Sequence, residues 1–236
     1  MEIQLTHAYP GVMFPGGSSY GGSQKWLESA VMQRCGCGVV AVLDLVRYLH
    51  LYHPAMKTPF FTGIQDMTAL PKTVYDLCTQ RMRRSFVPIL YPVGTTGISL
   101  AAGLNRYFKR YGLPLRAKWG VRREKLWPEI ESMLRQDIPV ILSVGNRFPR
   151  FWKKEGVSLH RRQQDEMKHA AQAHAHFVVV TGMDDTWLHV SSWGKEYYLS
   201  KEEFLRYRSE GSMPLLCNMV YIRYLTEAGG QDESCR

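Results

Sequence analysis

Apolar positions run almost unbroken through Val39-Val40-Ala41-Val42-Leu43-Asp44-Leu45-Val46-Arg47-Tyr48-Leu49, where Asp44 and Arg47 are the only charged residues. So thin a polar stripe over about three turns predicts a helix buried nearly all round. Two further stretches carry helical spacing. Leu100, Leu104, Tyr107, Phe108 and Tyr111 define one face over 98–111, closed by Gly112, and Leu126, Ile130, Met133 and Leu134 define another over 124–136. A shorter helix is predicted over 73–81, among irregular connections marked by Pro54, Pro59, Pro71, Pro88 and Pro92. Residues 9–24, rich in Pro, Gly and Ser, predict an open loop.

The period changes at Ile138-Pro139-Val140-Ile141-Leu142-Ser143-Val144, a continuous apolar, β-branched run that predicts a buried strand. Further strands are predicted at 177–181, 188–192, 197–199 and 218–224, with a short helix over 201–207 between the last two. Residues 146–173 read as a polar, basic insertion placed to lie over a cleft as a lid, and residues 229–236 as a disordered tail. Helices early and antiparallel strands late predict an α+β fold in a single domain over 1–228. Its helical lobe, at about 25–137, would hold the central helix against an antiparallel β lobe at 138–225.

Composition adds bounds to this picture. At 236 residues, 45% hydrophobic and 22% charged, the chain has the make-up of a globular protein with a full core. Met1-Glu2-Ile3-Gln4-Leu5-Thr6 lacks the basic and apolar regions of a signal peptide, and no stretch approaches the roughly 20 apolar residues of a membrane span. A cytosolic protein is expected. Five cysteines (Cys35, Cys37, Cys78, Cys217 and Cys235) are an odd count that favours thiols over a disulfide framework. The net charge of +9 comes from scattered clusters such as Arg81-Met82-Arg83-Arg84 and His160-Arg161-Arg162, none of them a groove-reading motif. A solvated basic surface is expected rather than a nucleic-acid site.

Candidate chemistry begins at Gln33-Arg34-Cys35-Gly36-Cys37-Gly38, directly ahead of the buried helix. Free backbone N–H groups and the helix dipole at such a position favour a thiolate and could hold an oxyanion. Cys35 and Cys37 both qualify. Far downstream, His174-Ala175-His176 opens the strand Phe177-Val178-Val179-Val180-Thr181-Gly182, placing an imidazole at a strand mouth where it can take a thiol proton or pair with a thiolate. Val190-Ser191-Ser192-Trp193-Gly194 ends the next strand, so Ser191 and Trp193 come within reach of His176 across a hairpin.

A cysteine and glycine at the start of a long apolar helix, a Pro-Val-Ile strand, His-Phe-Val-Val-Val-Thr-Gly-Met-Asp and then Ser-Trp-Gly together resemble the papain-like cysteine peptidases. The resemblance is nearest the bacterial branch of double-glycine (bacteriocin-leader) peptidases and covers residues 33–207. It implies a papain-like fold and a peptide or amide substrate with no cofactor. The nucleophile would be Cys37, which matches the family's spacing to Arg47-Tyr48, or Cys35, which places Gly38 and Ala41 where the family has alanines. His176 would be the general base, Ser191 the third member in place of Asn or Asp, and Gln33 the oxyanion-hole glutamine, although its gap to either cysteine is shorter than the family's. Trp193 and His174 would line the substrate site. A serine brings no carboxylate charge to the imidazole, so Asp184 or Asp185 is a possible substitute.

Two other readings stand beside this one. A papain-like chain that lost its chemistry would bind a peptide without cutting it. Alternatively, Cys35, Cys37, His174 and His176 have the ligand types of a zinc site, at unusually tight spacing.

Overall fold

The computed structural model describes residues 2–150, 152–153, 155–164 and 166–225; Cys235 and the tail at 229–236 lie outside them. The apolar run forms a helix over Cys37–Tyr52, and every residue from Gly38 to His50 is buried. This helix, α2, follows the short α1 (Ala30–Cys35), from which a single residue, Gly36, separates it. Leu43 and Leu45 are fully buried, so truncating either to Ala would cost about 2–5 kcal/mol. The two charges predicted on the helix are buried as well and satisfied. Arg47 donates to the carbonyls of Gly11 and Met67 at 2.9 and 3.0 Å, tying α2 to a small sheet of β2 (Gly11–Phe14), β3 (Gly17–Ser18) and β4 (Ala69–Pro71). Part of the stretch expected to be an open loop is therefore strand.

Three helices follow as the periodicity predicts: α3 (Lys72–Ser85), α4 (Gly97–Arg110) and α5 (Leu126–Arg135). Thr96 and Ser99 cap α4 reciprocally. Between α4 and α5 lies β5 (Leu115–Trp119), with Leu115 and Ala117 buried and Arg116 and Lys118 exposed. That alternation, bounded by Gly112 and Gly120, was legible in the sequence and corrects the expectation that everything before residue 138 is helical.

The second half supplies β6 (Val140–Val144), β7 (Val157–Gln163), β8 (Glu166–Ala173), β9 (His176–Met183), β10 (Trp187–Ser192), β11 (Lys195–Ser200), α6 (Lys201–Arg206) and β12 (Met219–Tyr224). With β5 these strands form an antiparallel sheet in the order β5-β12-β6-β9-β10-β11-β7-β8. At the far end of β9, beyond its pairing with β6, Gly182 and Met183 pair on that edge with β1 (Ile3–Gln4). All eight residues of β9 are buried, and α2 packs against this strand. The mixed α and β architecture thus has a large antiparallel sheet with the cysteine-bearing helix on its central strand. Strands β1 and β5 from the first half enter the sheet, so residue 138 does not divide the chain into a helical and a β part. The insertion at 146–173 also differs from expectation. Most of it is the β7–β8 hairpin extending the sheet edge.

Candidate active site

Gly36 breaks the backbone between α1 and α2, and the two thiols, which both line one cleft, meet different partners. Cys35 Sγ lies 3.4 Å from the carbonyl of Pro92. Cys37, half-buried, is the first residue of α2, with the backbone N–H groups of Phe177 and Gly38 turned toward its sulfur. Since Phe177 directly follows His176, the structure brings Cys37 to the mouth of β9. The N–H groups favour a thiolate, but burial outweighs them and raises the Cys37 thiol above its ordinary value.

His176 is buried, and its ring stacks on Trp193 with centroids 4.4 Å apart and planes 22° from parallel. Burial, with the charge of Lys25 nearby, pushes its pKa down to about 3. Lys25 Nζ stands 4.8 Å from the centroid of the same indole. Trp193 reaches this position from a turn in which it and Gly194 both have positive φ, 47° and 75°. A side chain at Gly194 would also collide with Trp26, 2.0 Å from the position of a Cβ. A tryptophan held in the left-handed region is uncommon and costs about 1–3 kcal/mol, which the surrounding contacts must offset.

The hydroxyl next to the imidazole belongs to Ser192, 2.8 Å from His176 Nε2, and not to Ser191 as the hairpin spacing predicts. The reason is one extra residue. Leu188 and His189 pair with Met183 and Gly182, but Val190 and Ser191 pair with Val180 and Val179, leaving Thr181 without a partner in β10. Side chains alternate faces, so this bulge moves Ser191 off the face of His176 and puts Ser192 on it. Ser191 instead donates to the carbonyl of Tyr20 at 2.9 Å. Asp184 is not a substitute third member either. Its carboxylate accepts from the N–H groups of Thr186 and Trp187 and faces His189, 3.5 Å away.

Of the two glutamines near this segment, Gln24 lines the cavity at Cys37 and Gln33 does not. Gln33 is exposed and its amide donates to the carbonyl of Leu27 at 2.7 Å. Gln24 lines a small cavity of about 10 Å³ together with Cys37, Asp44, His176 and Trp193. Its Nε2 donates to the carbonyl of Gln33 at 3.2 Å, which leaves one amide hydrogen uncommitted to that bond. No spacing signal marks Gln24, because the chain between it and Cys37 passes through α1.

Cys37, His176 and Phe177 also line a second, larger cleft of about 720 Å³ on their other side. Its walls include Val93, Ile98, Trp119, Val144, Leu215 and Leu216, with Arg34 and His174 among the polar groups and no carboxylate among the described lining residues. His174 therefore lies in the cleft, although the positive φ of Ala175, 48°, means that the two histidines do not share one extended strand. Among the described residues of the insertion, only Asn146 lines the cleft, so the β7–β8 hairpin does not cover it as the sequence suggests. Among the described residues no three His, Cys, Asp or Glu side chains gather as metal ligands, and the zinc reading loses its geometry. No helix of the described residues is long and apolar enough to cross a membrane.

No protein-family profile matches the sequence, and no curated protein does. Among solved structures, the fold is similar to the active wild-type interpain A cysteine protease of Prevotella intermedia, with a TM-score of 0.46 and 14% identity over 93% of this chain and 94% of that one. A likeness so distant transfers no residue roles.

Proposed function

We propose that the chain is a papain-like cysteine hydrolase acting on peptide or related amide bonds, with Cys37 as nucleophile, His176 as general base and Ser192 orienting the imidazole. One observation carries this reading: a thiol at the start of a buried helix meets the mouth of the strand whose histidine is itself held by a hydroxyl. Nε2–H donates to Ser192, which leaves Nδ1 to take the thiol proton. Sγ then attacks the carbonyl carbon, and the C=O π pair moves onto oxygen. That charge would rest on backbone N–H groups at the start of α2 and on the amide of Gln24. Collapse breaks the C–N bond, and His176 returns its proton to the leaving amine. Water, deprotonated by His176, then cleaves the thioester and restores the thiol.

The apolar cleft beside Cys37 supports an acyl-side residue that is uncharged or acidic, since the described lining offers no carboxylate to a basic one. Kinship to the double-glycine branch is the finer reading and rests on the sequence motifs alone. Four free thiols among the described cysteines accord with a cytosolic setting.

A second reading has its own observation. Burial raises the Cys37 thiol and lowers the His176 imidazole, and the orienting group is a hydroxyl without charge, which favours a cleft that binds peptides and turns over slowly or not at all. A library of quenched fluorescent peptides, with intact-mass detection of an acyl-enzyme, separates the two. Cleavage abolished by both Cys37→Ala and His176→Ala but retained by Cys35→Ala supports the hydrolase. Binding without cleavage supports the module.

A further inference from the structure

We propose that Asp44 is a positioning residue which, opposite Ser191, anchors the segment 19–24 and so holds Gln24 beside Cys37 and His176. This inference rests on the hydrolase reading for its consequence and on the packing around Asp44 for its geometry.

Asp44 follows Cys37 by two helical turns and lines the same cavity, yet it takes no part in the chemistry proposed above. It is 2% exposed. A buried carboxylate is costly unless its lone pairs are used, and here both oxygens are. Oδ2 accepts the N–H of Gly22 at 2.7 Å, and Oδ1 accepts the Tyr75 hydroxyl at 2.8 Å. From the opposite side, Ser191 donates to the carbonyl of Tyr20 at 2.9 Å, the N–H of Tyr20 donates to the carbonyl of Gly194 at 3.0 Å, and the Tyr20 hydroxyl donates to Thr181 at 2.8 Å. The strap is thus clamped between α2 and the β10–β11 turn.

Two glycines allow the clamp to close. A Cβ at Gly21 would stand 2.2 Å from Ser191 Oγ and 3.0 Å from Asp44 Oδ2, and Gly21 has a φ of 74°. A Cβ at Gly22 would stand 1.8 Å from the Tyr75 hydroxyl. Any side chain at either position would push the strap away from its anchors. Directly after them, buried Ser23 caps a short turn at Gln24–Trp26 by accepting the N–H of Lys25 at 3.2 Å. The fixed glycines therefore set where Gln24 and Lys25 emerge: one into the cavity of Cys37, the other over the indole stacked on His176. The bulge in β9 gives Ser191 this anchoring role by turning it away from His176.

Amide hydrogen exchange of the peptide spanning 19–25, followed by mass spectrometry in the full chain, tests the anchor without needing a substrate. Asp44→Ala should speed exchange of this segment by roughly tenfold or more. Asp44→Asn, whose carbonyl oxygen still accepts from Gly22, should restore protection to within about threefold. Ser191→Ala, a small change that keeps the buried carboxylate, should loosen the same segment and covers the case in which Asp44→Ala fails to fold. On a cleaved peptide, kcat should fall about tenfold or more in Asp44→Ala with KM little changed, because an oxyanion donor acts in the transition state. Alkylation of Cys37, a displacement that builds no oxyanion, should keep its rate. Unchanged exchange in Asp44→Ala or Ser191→Ala, or an Asp44→Asn chain as loose as the alanine variant, overturns the anchor. A loosened strap in a chain that cleaves nothing defeats the hydrolase reading alone.

Discussion

The hydroxyl of Ser192 lies 2.8 Å from Nε2 of His176, inside a site where Trp193 covers the ring. The contact suits the tautomer in which Ser192 accepts from Nε2–H and leaves Nδ1 as the basic nitrogen. A hydroxyl does this without the negative charge that would stabilise an imidazolium. Everything downstream of that choice is measurable.

Ser192→Ala should lower kcat/KM by about tenfold or more, because the imidazole loses the group that orients it. Its effect should differ in kind from that of Ser191→Ala. The first should alter the ring-nitrogen chemical shifts of His176 by NMR and leave the segment 19–24 protected; the second should do the reverse. Identical behaviour of the two variants would mean that the β9 bulge does not set their roles.

The Cys37 thiol should behave as a buried thiol and not as half of a preformed ion pair. Burial raises it, and burial also keeps His176 neutral. Limiting iodoacetamide with peptide mapping should therefore give a Cys37 alkylation rate that stays low through neutral pH and is still climbing above the ordinary thiol range. A fast plateau in the acid range, abolished by His176→Ala, would reveal a thiolate–imidazolium pair instead.

His176 also makes the fold acid-sensitive. Its folded pKa of about 3 lies below the ordinary value of about 6.5, so the unfolded chain binds the proton first as pH falls, and stability is lost from about pH 6.5 downward. At about pH 5 this single group should cost about 2 kcal/mol relative to neutral pH. Asp44 runs the other way, because burial pushes its folded carboxyl up to about 6 from 3.8, so the folded chain takes up its proton first and gains stability over that interval. Comparing wild type with His176→Gln by urea unfolding at two pH values cancels Asp44. The wild type should lose about 2 kcal/mol more than the variant between about pH 7.5 and pH 5.

At the cleft rim, Ile98 is 59% exposed, so Ile98→Glu should leave stability within about 0.5 kcal/mol. It places a carboxylate in a cleft whose described lining has none. KM for peptides with an apolar or acidic acyl-side residue should rise several-fold, with kcat little changed, if that residue sits in this cleft. Equal KM for both proteins would place the acyl side elsewhere.

Much of this protein was legible in its sequence. The unbroken apolar run of α2, the strand opened by His176 and the Ser-Trp-Gly turn follow from local period and residue type, because burial on all sides, on one face or in a tight turn each leaves its own pattern. The tertiary structure alone decided which residues of these elements meet. One unpaired residue, Thr181, exchanges Ser191 for Ser192 beside His176; one helix break at Gly36 turns Cys35 toward Pro92 and leaves Cys37 at the mouth of β9; and a strap clamped by Asp44 brings Gln24 where Gln33 was expected. Local pattern reports how deeply a residue is buried. Facing depends on register and on long-range pairing, where a slip of one position reverses every side chain.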